Sequence, residues 1–264
     1  MKISFIGAGN MGSAIIGGII NSKLADGGDI SVADRCEDKL NALALEYKVN
    51  TFVNNKDCLD CDILFLCVKP NVIYNVIDEI APFVNPQTVI VSIAAGQALT
   101  KLMATFKNTD VKLVRVMPNT PALVGEGMSA LCATKSVTES ELEKVLTIMR
   151  SFGRAEIVAE SLMDTVTAVS GSSPAYVFMF IEAMADAAVK GGMSRDMAYT
   201  FAAQSVLGSA KMVLQTQKHP GELKDMVCSP GGTTIDAVAV LEREGMRNAV
   251  MKAMEACIDK SKSL

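Results

Sequence analysis

Short apolar runs alternate with amphipathic stretches from the start of the chain to about residue 159. Continuous apolar runs of this kind are typical of strands buried on both faces of a parallel sheet, and the stretches between them have helical spacing. The alternation therefore predicts an α/β fold in which helices cover both faces of a doubly wound, Rossmann-like parallel sheet. The predicted strands are Ile3–Ile6, Ile30–Ala33, Ile63–Cys67, Val89–Ile93, Lys112–Val116, Met128–Ala133 and Ala155–Val158.

The pattern changes at Glu160, after which only helical spacing remains. Pro174 must kink or restart the first of these helices, because it removes a helix hydrogen bond. The helices predicted at Tyr176–Val189 and Met197–Leu214 are apolar on most faces, and such helices must be buried on all sides. The helical region has too few elements to cover them, so we expect it to pack against a second copy of the chain.

The length of 264 residues suits two domains, and the change of pattern divides them at 1–159 and 160–264. We expect the second domain to be all-α and to form the dimer. The net charge of -4 disfavours nucleic acid as the main partner. The apolar stretch Ala14–Ile20 is short and broken by Gly17 and Gly18, so we expect no membrane span.

The seven cysteines are scattered and odd in number, which is typical of reduced thiols, and we expect a cytoplasmic protein without a secretory signal. Cys58 and Cys61 form the one C-x-x-C pair. Since no second pair and no histidine lies near it, we expect neither metal binding nor redox chemistry there. The only histidine, His219, precedes Pro220 and Gly221, and we expect a surface or helix-capping residue.

The segment Gly7–Gly12 has the G-x-G-x-x-G pattern between the first predicted strand and the first predicted helix. In a dinucleotide site, Gly7 permits the tight turn, Gly9 the close approach of a pyrophosphate, and Gly12 the packing of helix against strand. The helix N-terminus adds unpaired N–H groups and the positive end of its dipole. The pattern therefore predicts dinucleotide binding, and an ordinary glycine-rich turn is the alternative.

Other polar residues follow the predicted strands at the same edge of the sheet. Asp34 and Arg35 end the second strand, where the adenosine ribose of a dinucleotide should lie. An acid there accepts from the 2′-hydroxyl of NAD, whereas an arginine binds the 2′-phosphate of NADP, so the two residues have opposite effects. A solvated pair at the end of a strand is the alternative.

A second candidate anion site lies at Cys228–Thr234, before a helix predicted at Ile235–Glu244. The sequence Pro-Gly-Gly leaves the turn without side chains, and Thr233 or Thr234 is expected to cap the helix. Backbone N–H groups and hydroxyls would then bind an anion. A capped turn without a ligand is the alternative.

These segments occur together in the order and spacing of one family. Gly7–Gly12, Val68–Pro70, Met117–Pro121, Ser170–Tyr176 and Ser229–Thr234 resemble the motifs of pyrroline-5-carboxylate reductase, over essentially the whole chain. The resemblance implies hydride transfer from NAD(P)H to the C=N bond of 1-pyrroline-5-carboxylate, the last step of proline biosynthesis. It also implies an NAD(P)-binding Rossmann domain followed by a helical domain that interlocks with a partner's, in a homodimer often assembled into a decamer.

By position, the resemblance implies that Ser229 and the backbone of Gly232 and Thr233 hold the substrate carboxylate. Thr234 would hydrogen-bond the ring nitrogen, and Glu160 would lie at the edge of the catalytic site; Gly231 belongs to the same turn. Asp34 departs from NADPH-preferring members, which often lack an acid at that strand end. The family resemblance and Arg35 favour NADPH, and NADH is the alternative. The implied cofactor-binding residues are Ile6, Gly7, Ala8, Gly9, Asn10, Met11, Gly12, Asp34, Arg35, Asn55, Val68, Lys69, Pro70, Ala94, Ala95 and Gly96.

Two other functions are compatible with the same architecture. A β-hydroxyacid-dehydrogenase-like oxidoreductase would have a catalytic lysine on the helix that crosses between domains, and Lys190 is the only lysine there, far along the helix. A catalytically silent NAD(P)-sensing protein would not need the intact Ser229–Thr234 segment.

Overall fold

A computed structural model describes residues 1–263. The chain divides into two compact units. The first, called the sheet unit below, comprises Met1–Ser172 together with the residues from Cys257 onward. The second, called the helical unit, comprises Ser173–Ala256.

An eight-stranded sheet forms the centre of the sheet unit, in the order β3-β2-β1-β4-β5-β6-β7-β8. Strands β1 and β4 are parallel neighbours. From β1 the next strands in sequence, β2 and β3, are added on one side, and from β4 the strands β5 to β8 are added on the other, so the strand order reverses between β1 and β4. The strands are β1 (Ile3–Ile6), β2 (Ile30–Ala33), β3 (Asn50–Phe52), β4 (Ile63–Leu66), β5 (Val89–Ser92), β6 (Leu113–Met117), β7 (Gly127–Ala133) and β8 (Gly153–Ile157).

The doubly wound fold is confirmed, and two details of the predicted sheet are wrong. The edge strand β3 was missed, because Asn50–Phe52 is a short run with little apolar character that lies at least partly exposed. The sheet is not fully parallel, since β7 runs antiparallel to β6. Residues 118–126 are too few for the crossover that a parallel neighbour needs, and β8 then pairs in parallel with β7.

Helices cover both faces of the sheet, and an apolar cluster lies on each face. Along β6, Val114 and Val116 belong to one cluster and Leu113 to the other, as the alternation of side chains in a strand requires. The helices of the sheet unit are α1 (Asn10–Asn21), α2 (Glu37–Tyr47), α3 (Ile73–Ile80), α4 (Leu99–Phe106), α5 (Glu139–Arg150) and α6 (Met163–Val166).

The start of α5 has a capping box. Thr138 and Glu141 exchange the side-chain and backbone hydrogen bonds that define it. The helix ends at Arg150 with Ser151 as its C-cap, and Gly153 begins β8. A π-helical turn, Thr167–Gly171, follows α6, and the helix restarts beside Pro174 as expected.

The helical unit contains α7 (Ser173–Lys190), α8 (Arg195–Thr216), α9 (Pro220–Val227), α10 (Thr233–Arg243) and most of α11 (Met246–Lys262). Only Ala185, Ala198 and Ala202 are buried in the described residues of this unit. Large apolar side chains are exposed on several of its helices, among them Phe178 at 62 % and Phe201 at 64 %. A single copy of the helical unit therefore has no hydrophobic core of ordinary size. No helix within residues 1–263 is long and apolar enough to cross a membrane.

Candidate active site

The turn between β1 and α1 is fixed by close backbone contacts. A Cβ added at Gly7 would lie 2.6 Å from the carbonyl oxygen of Cys67, just beyond β4, and the backbone φ of Gly7 is +107°. A Cβ at Gly12 would lie 2.6 Å from the carbonyl oxygen of Gly7. A larger residue at Gly7 would therefore displace the turn from the sheet, and a larger residue at Gly12 would displace α1 from the turn.

The same turn leaves room where a pyrophosphate would approach. A Cβ added at Gly9 would meet no neighbouring atom within 4 Å. Gly9 is also the N-cap of α1, which has no side-chain cap and no acidic residue in its first turn. The first N–H groups of α1 therefore have neither an intrahelical acceptor nor a competing carboxylate, and the residues fit a bound dinucleotide phosphate. This arrangement lies where the strand order reverses, the usual ligand position in doubly wound sheets.

Asp34 and Arg35 differ in their surroundings. The Asp34 carboxylate accepts the N–H of Ala8 at 2.7 Å through Oδ2 and the N–H of Cys36 at 2.9 Å through Oδ1. Asp34 thus braces the glycine-rich turn with both oxygens. Arg35 is exposed, and the structure assigns its guanidinium no hydrogen bond or ion pair.

Two further predicted cofactor segments lie nearby in the fold. Lys69 is exposed after β4, and its carbonyl accepts the N–H of Val72 at 2.9 Å. Pro70 lies before α3, which begins at Ile73. The amide of Asn55 donates to Glu79 Oε2 at 3.0 Å, which anchors this residue to α3.

The segment after β5 turns sharply at Gly96, whose φ is +73°. The next residue, Gln97, is buried. Its side chain accepts the hydroxyl of Tyr74 on α3 and donates to the carbonyl of Ala95 at 3.4 Å. This segment, Ala94–Ala98, is called the β5–α4 loop below. Glu160 reaches its far end, since its Oε1 accepts the N–H of Leu99 at 2.7 Å.

Sequence reasoning missed Arg115, the partner of Glu160. The Nη1 atom of Arg115 lies 3.3 Å from Glu160 Oε1, and the arginine is only 6 % exposed. The signal was present, because a charged residue in the middle of an otherwise apolar buried strand requires a partner.

In the helical unit, Ser229–Gly232 forms a hydrogen-bonded turn, in which Gly232 donates to the carbonyl of Ser229 at 3.1 Å. Pro230 followed by Gly231 with φ +66° is the pattern of a type II turn. The expectation that Thr233 or Thr234 caps the next helix is wrong. Gly232 is the N-cap, without a side-chain cap, and both threonines lie in the first turn of α10.

His219 is confirmed as a capping residue. Its Nδ1 accepts the N–H of Gly221 at 3.1 Å at the start of α9, which leads to the Ser229–Thr234 turn. Lys190 is the last residue of α7.

The cysteines are all free thiols. Burial raises the pKa of Cys58 to about 12 and that of Cys61 to about 11. Burial likewise raises the pKa of Cys67, beneath the glycine-rich turn, above its usual range. These groups are therefore protonated at neutral pH, and no group of three metal-binding side chains is found within residues 1–263.

Comparisons with known proteins agree with this arrangement. A family model described as pyrroline-5-carboxylate reductase dimerisation matches residues 160–264, and one described as NADP oxidoreductase, coenzyme F420-dependent, matches residues 2–96. A pyrroline-5-carboxylate reductase of Escherichia coli (strain K12) is 52 % identical over 264 residues, covering 100 % of this chain and 98 % of that protein.

Two solved structures share the fold over nearly their whole length. A pyrroline-5-carboxylate reductase from Coxiella burnetii aligns with a TM-score of 0.92 and 34 % identity, covering 99 % of this chain and 97 % of the other. A pyrroline carboxylate reductase from Plasmodium falciparum, solved with NADP bound, aligns with a TM-score of 0.91 and 34 % identity, covering 100 % and 97 %. On the strength of its two units, its glycine-rich turns and this similarity over the full chain, the protein belongs to the pyrroline-5-carboxylate reductases, the NAD(P)-dependent oxidoreductases of proline biosynthesis.

Proposed function

We propose that this chain reduces 1-pyrroline-5-carboxylate to L-proline by holding two anionic groups at two similar helix N-termini. The N-caps of α1 and α10 are Gly9 and Gly232, both extended in backbone and both without a side-chain cap. The α1 terminus suits the pyrophosphate of the cofactor, and the α10 terminus suits the carboxylate of the substrate. This repetition of one anion-binding device, once in each unit, is the observation that supports the assignment best.

The residues of the Ser229–Thr234 turn suit an electrophile that needs little activation. A protonated cyclic imine already has a reactive carbon, so the site needs orientation and shelter from water more than an acid or base. Ser229 and the N–H of Thr233 hold the carboxylate, while the N–H of Gly232 closes the turn onto the carbonyl of Ser229. Thr234 Oγ1 accepts the N–H of the iminium ring. A nicotinamide cofactor held at the glycine-rich turn would supply the hydride. The ring nitrogen keeps its proton as the C=N bond becomes a single bond, so no further proton donor is required.

Replacing Thr234 tests this assignment. Thr234→Ala removes the hydrogen bond that orients the ring and should lower kcat/KM for the imine by roughly 5- to 150-fold, the equivalent of about 1–3 kcal/mol. The dissociation constant of the cofactor should stay unchanged. Steady-state kinetics with 1-pyrroline-5-carboxylate and calorimetric titration of NADP⁺ measure the two quantities.

Thr105→Ala is the matched control, because Thr105 bonds only to the carbonyl of Lys101 within α4. An unchanged kcat/KM in Thr234→Ala would remove Thr234 from the site.

A small, uncharged substitution in the glycine-rich turn tests cofactor binding without adding a charge to the site. Gly9→Ala should fold with an unchanged melting temperature, since its Cβ meets no protein atom, yet weaken NADP⁺ binding by at least about tenfold because it occupies space needed by the pyrophosphate. Gly28→Ala, which also meets no atom within 4 Å, is the control. Normal NADP⁺ affinity in Gly9→Ala would place the pyrophosphate elsewhere.

NADPH is the proposed physiological cofactor. Both oxygens of Asp34 are engaged by backbone N–H groups, so this carboxylate is poorly placed to select a 2′-hydroxyl. The exposed Arg35 is then the group available for a 2′-phosphate.

Removing the guanidinium should therefore affect one cofactor more than the other. Arg35→Ala should raise KM for NADPH by about 10- to 100-fold, as expected for a lost charge-assisted hydrogen bond, and leave KM for NADH within about twofold. Lys39→Ala, another exposed cation at the start of α2, controls for the general effect of positive charge. Equal changes for the two cofactors would show that Arg35 does not bind the 2′-phosphate.

We further propose that the functional form is a homodimer, which assembles into a decamer, and that it works in a reducing cytoplasm. The helical unit buries only three alanines by itself, and its exposed apolar side chains need a partner surface. The seven cysteines are unpaired, as is usual in a reducing compartment.

Substitution of one exposed leucine in each unit tests whether the dimer forms through the helical unit. Leu207→Asp on α8, where the leucine is 54 % exposed, should weaken the dimer by more than about tenfold, because a charge would be buried in an apolar interface. Leu45→Asp on α2, where the leucine is 86 % exposed, should leave the dimer intact. Sedimentation over a range of concentrations measures both and detects any larger assembly; an active wild-type monomer would contradict the proposal.

A further inference from the structure

Arg115 is the one charged residue that is buried in the described part of the chain. It lies on β6, in register with Ser92 on β5 and Cys132 on β7, on the same face of the sheet as Leu113. Burying a guanidinium in an apolar cluster is costly unless a carboxylate compensates it. The single charged partner that the structure gives it is Glu160.

Glu160 uses one oxygen for two donors. Its Oε1 lies 3.3 Å from Arg115 Nη1 and accepts the backbone N–H of Leu99 at 2.7 Å. Leu99 is the first residue of α4, whose N-cap, Ala98, has no side chain that can cap the helix. Glu160 therefore caps α4 from a distance of 61 residues along the chain, and Arg115 holds the capping carboxylate in place.

The capped residue directly follows the β5–α4 loop. The other anchor of this loop is Gln97, which is 3 % exposed and pairs with the hydroxyl of Tyr74. Both anchors lie at the α4 end of the loop, directly after the small residues Ala94 and Ala95 and after Gly96, whose φ is positive, so losing either anchor would free this end of the loop. The loop follows the carboxyl end of β5, the edge of the sheet where the cofactor is proposed to bind.

We propose that Arg115 and Glu160 form a positioning pair that sets the conformation of the β5–α4 loop and thereby the affinity for the nicotinamide cofactor. Glu160 acts through the N–H of Leu99 and does not contact the imine. This inference rests on the proposed assignment of Ala94, Ala95 and Gly96 to the cofactor site.

A double-mutant cycle tests the pair directly. Arg115→Met and Glu160→Ala should each raise the dissociation constant of NADP⁺ by roughly 10- to 100-fold, as expected when binding groups are displaced by about an ångström. The double variant should bind no more weakly than either single variant, because each substitution already disables the same device. Calorimetric titration measures the three constants without any need for turnover.

Kinetics and the conservative variants separate positioning from a purely structural role. KM for NADPH should rise in parallel with the dissociation constant, while KM for the imine stays within about twofold of wild type. Arg115→Lys, which keeps the charge, should restore much of the cofactor affinity. Glu156→Ala is the matched control, since Glu156 is exposed on β8, close to Glu160 in sequence.

Three results would overturn the inference. Additive effects on NADP⁺ binding would show that the two residues act independently. A rise confined to KM for the imine would show that Glu160 contacts the substrate. A lower melting temperature with unchanged cofactor affinity would show a structural role alone. Failure of the proposed function would appear separately, as wild-type protein that binds NADP⁺ but does not oxidise NADPH with 1-pyrroline-5-carboxylate.

Discussion

The close contact between the glycine-rich turn and the end of β4 is the constraint on which the cofactor site depends. A Cβ at Gly7 would lie 2.6 Å from the Cys67 carbonyl oxygen, so only glycine lets the turn rest on the sheet where the strand order reverses. That position directs the N-terminus of α1 toward the crevice beyond the strands. In the proposed site the N–H groups of this helix terminus would bind the anion, so few charged side chains are needed, which is compatible with a net charge of -4.

The other contacts around the site brace the backbone by means of side chains. Asp34 accepts from Ala8 in the turn, and Glu160 accepts from Leu99 after the β5–α4 loop. In both cases a carboxylate satisfies an N–H group that the local chain leaves without an acceptor. Such bracing suits a reaction that depends on holding hydride donor and acceptor in line, since the imine needs little acid–base assistance.

The helical unit imposes a different constraint. Its large apolar residues are exposed and its buried residues are alanines. Folding of this unit and its association with a partner therefore both depend on burying the same apolar side chains. Proteins with this property have a stability that depends on protomer concentration. Assembly is thus part of the fold of this family, whose C-terminal model is named for dimerisation.

Much of this could be predicted from the sequence because it depends on local pattern. Continuous apolar runs identify the buried strands, and G-x-G-x-x-G between a strand and a helix identifies the glycine-rich turn proposed to bind the cofactor. The motifs from Gly7–Gly12 to Ser229–Thr234 identify the family. The capping box at Thr138 was predictable for the same reason, since its partners are three residues apart.

Tertiary structure decided the features whose partners are distant in sequence or whose signal is backbone geometry. Strand β3 pairs with β2 although Asn50–Phe52 has little apolar pattern, and β7 is antiparallel because a short connection leaves no room for a crossover. At α10 the N-cap is Gly232 and not a threonine, because the turn places Thr233 and Thr234 inside the first helical turn. The N–H groups of Ala8 and Leu99 that Asp34 and Glu160 accept lie 26 and 61 residues away. No local rule specifies which distant backbone N–H a carboxylate will meet once the sheet has folded.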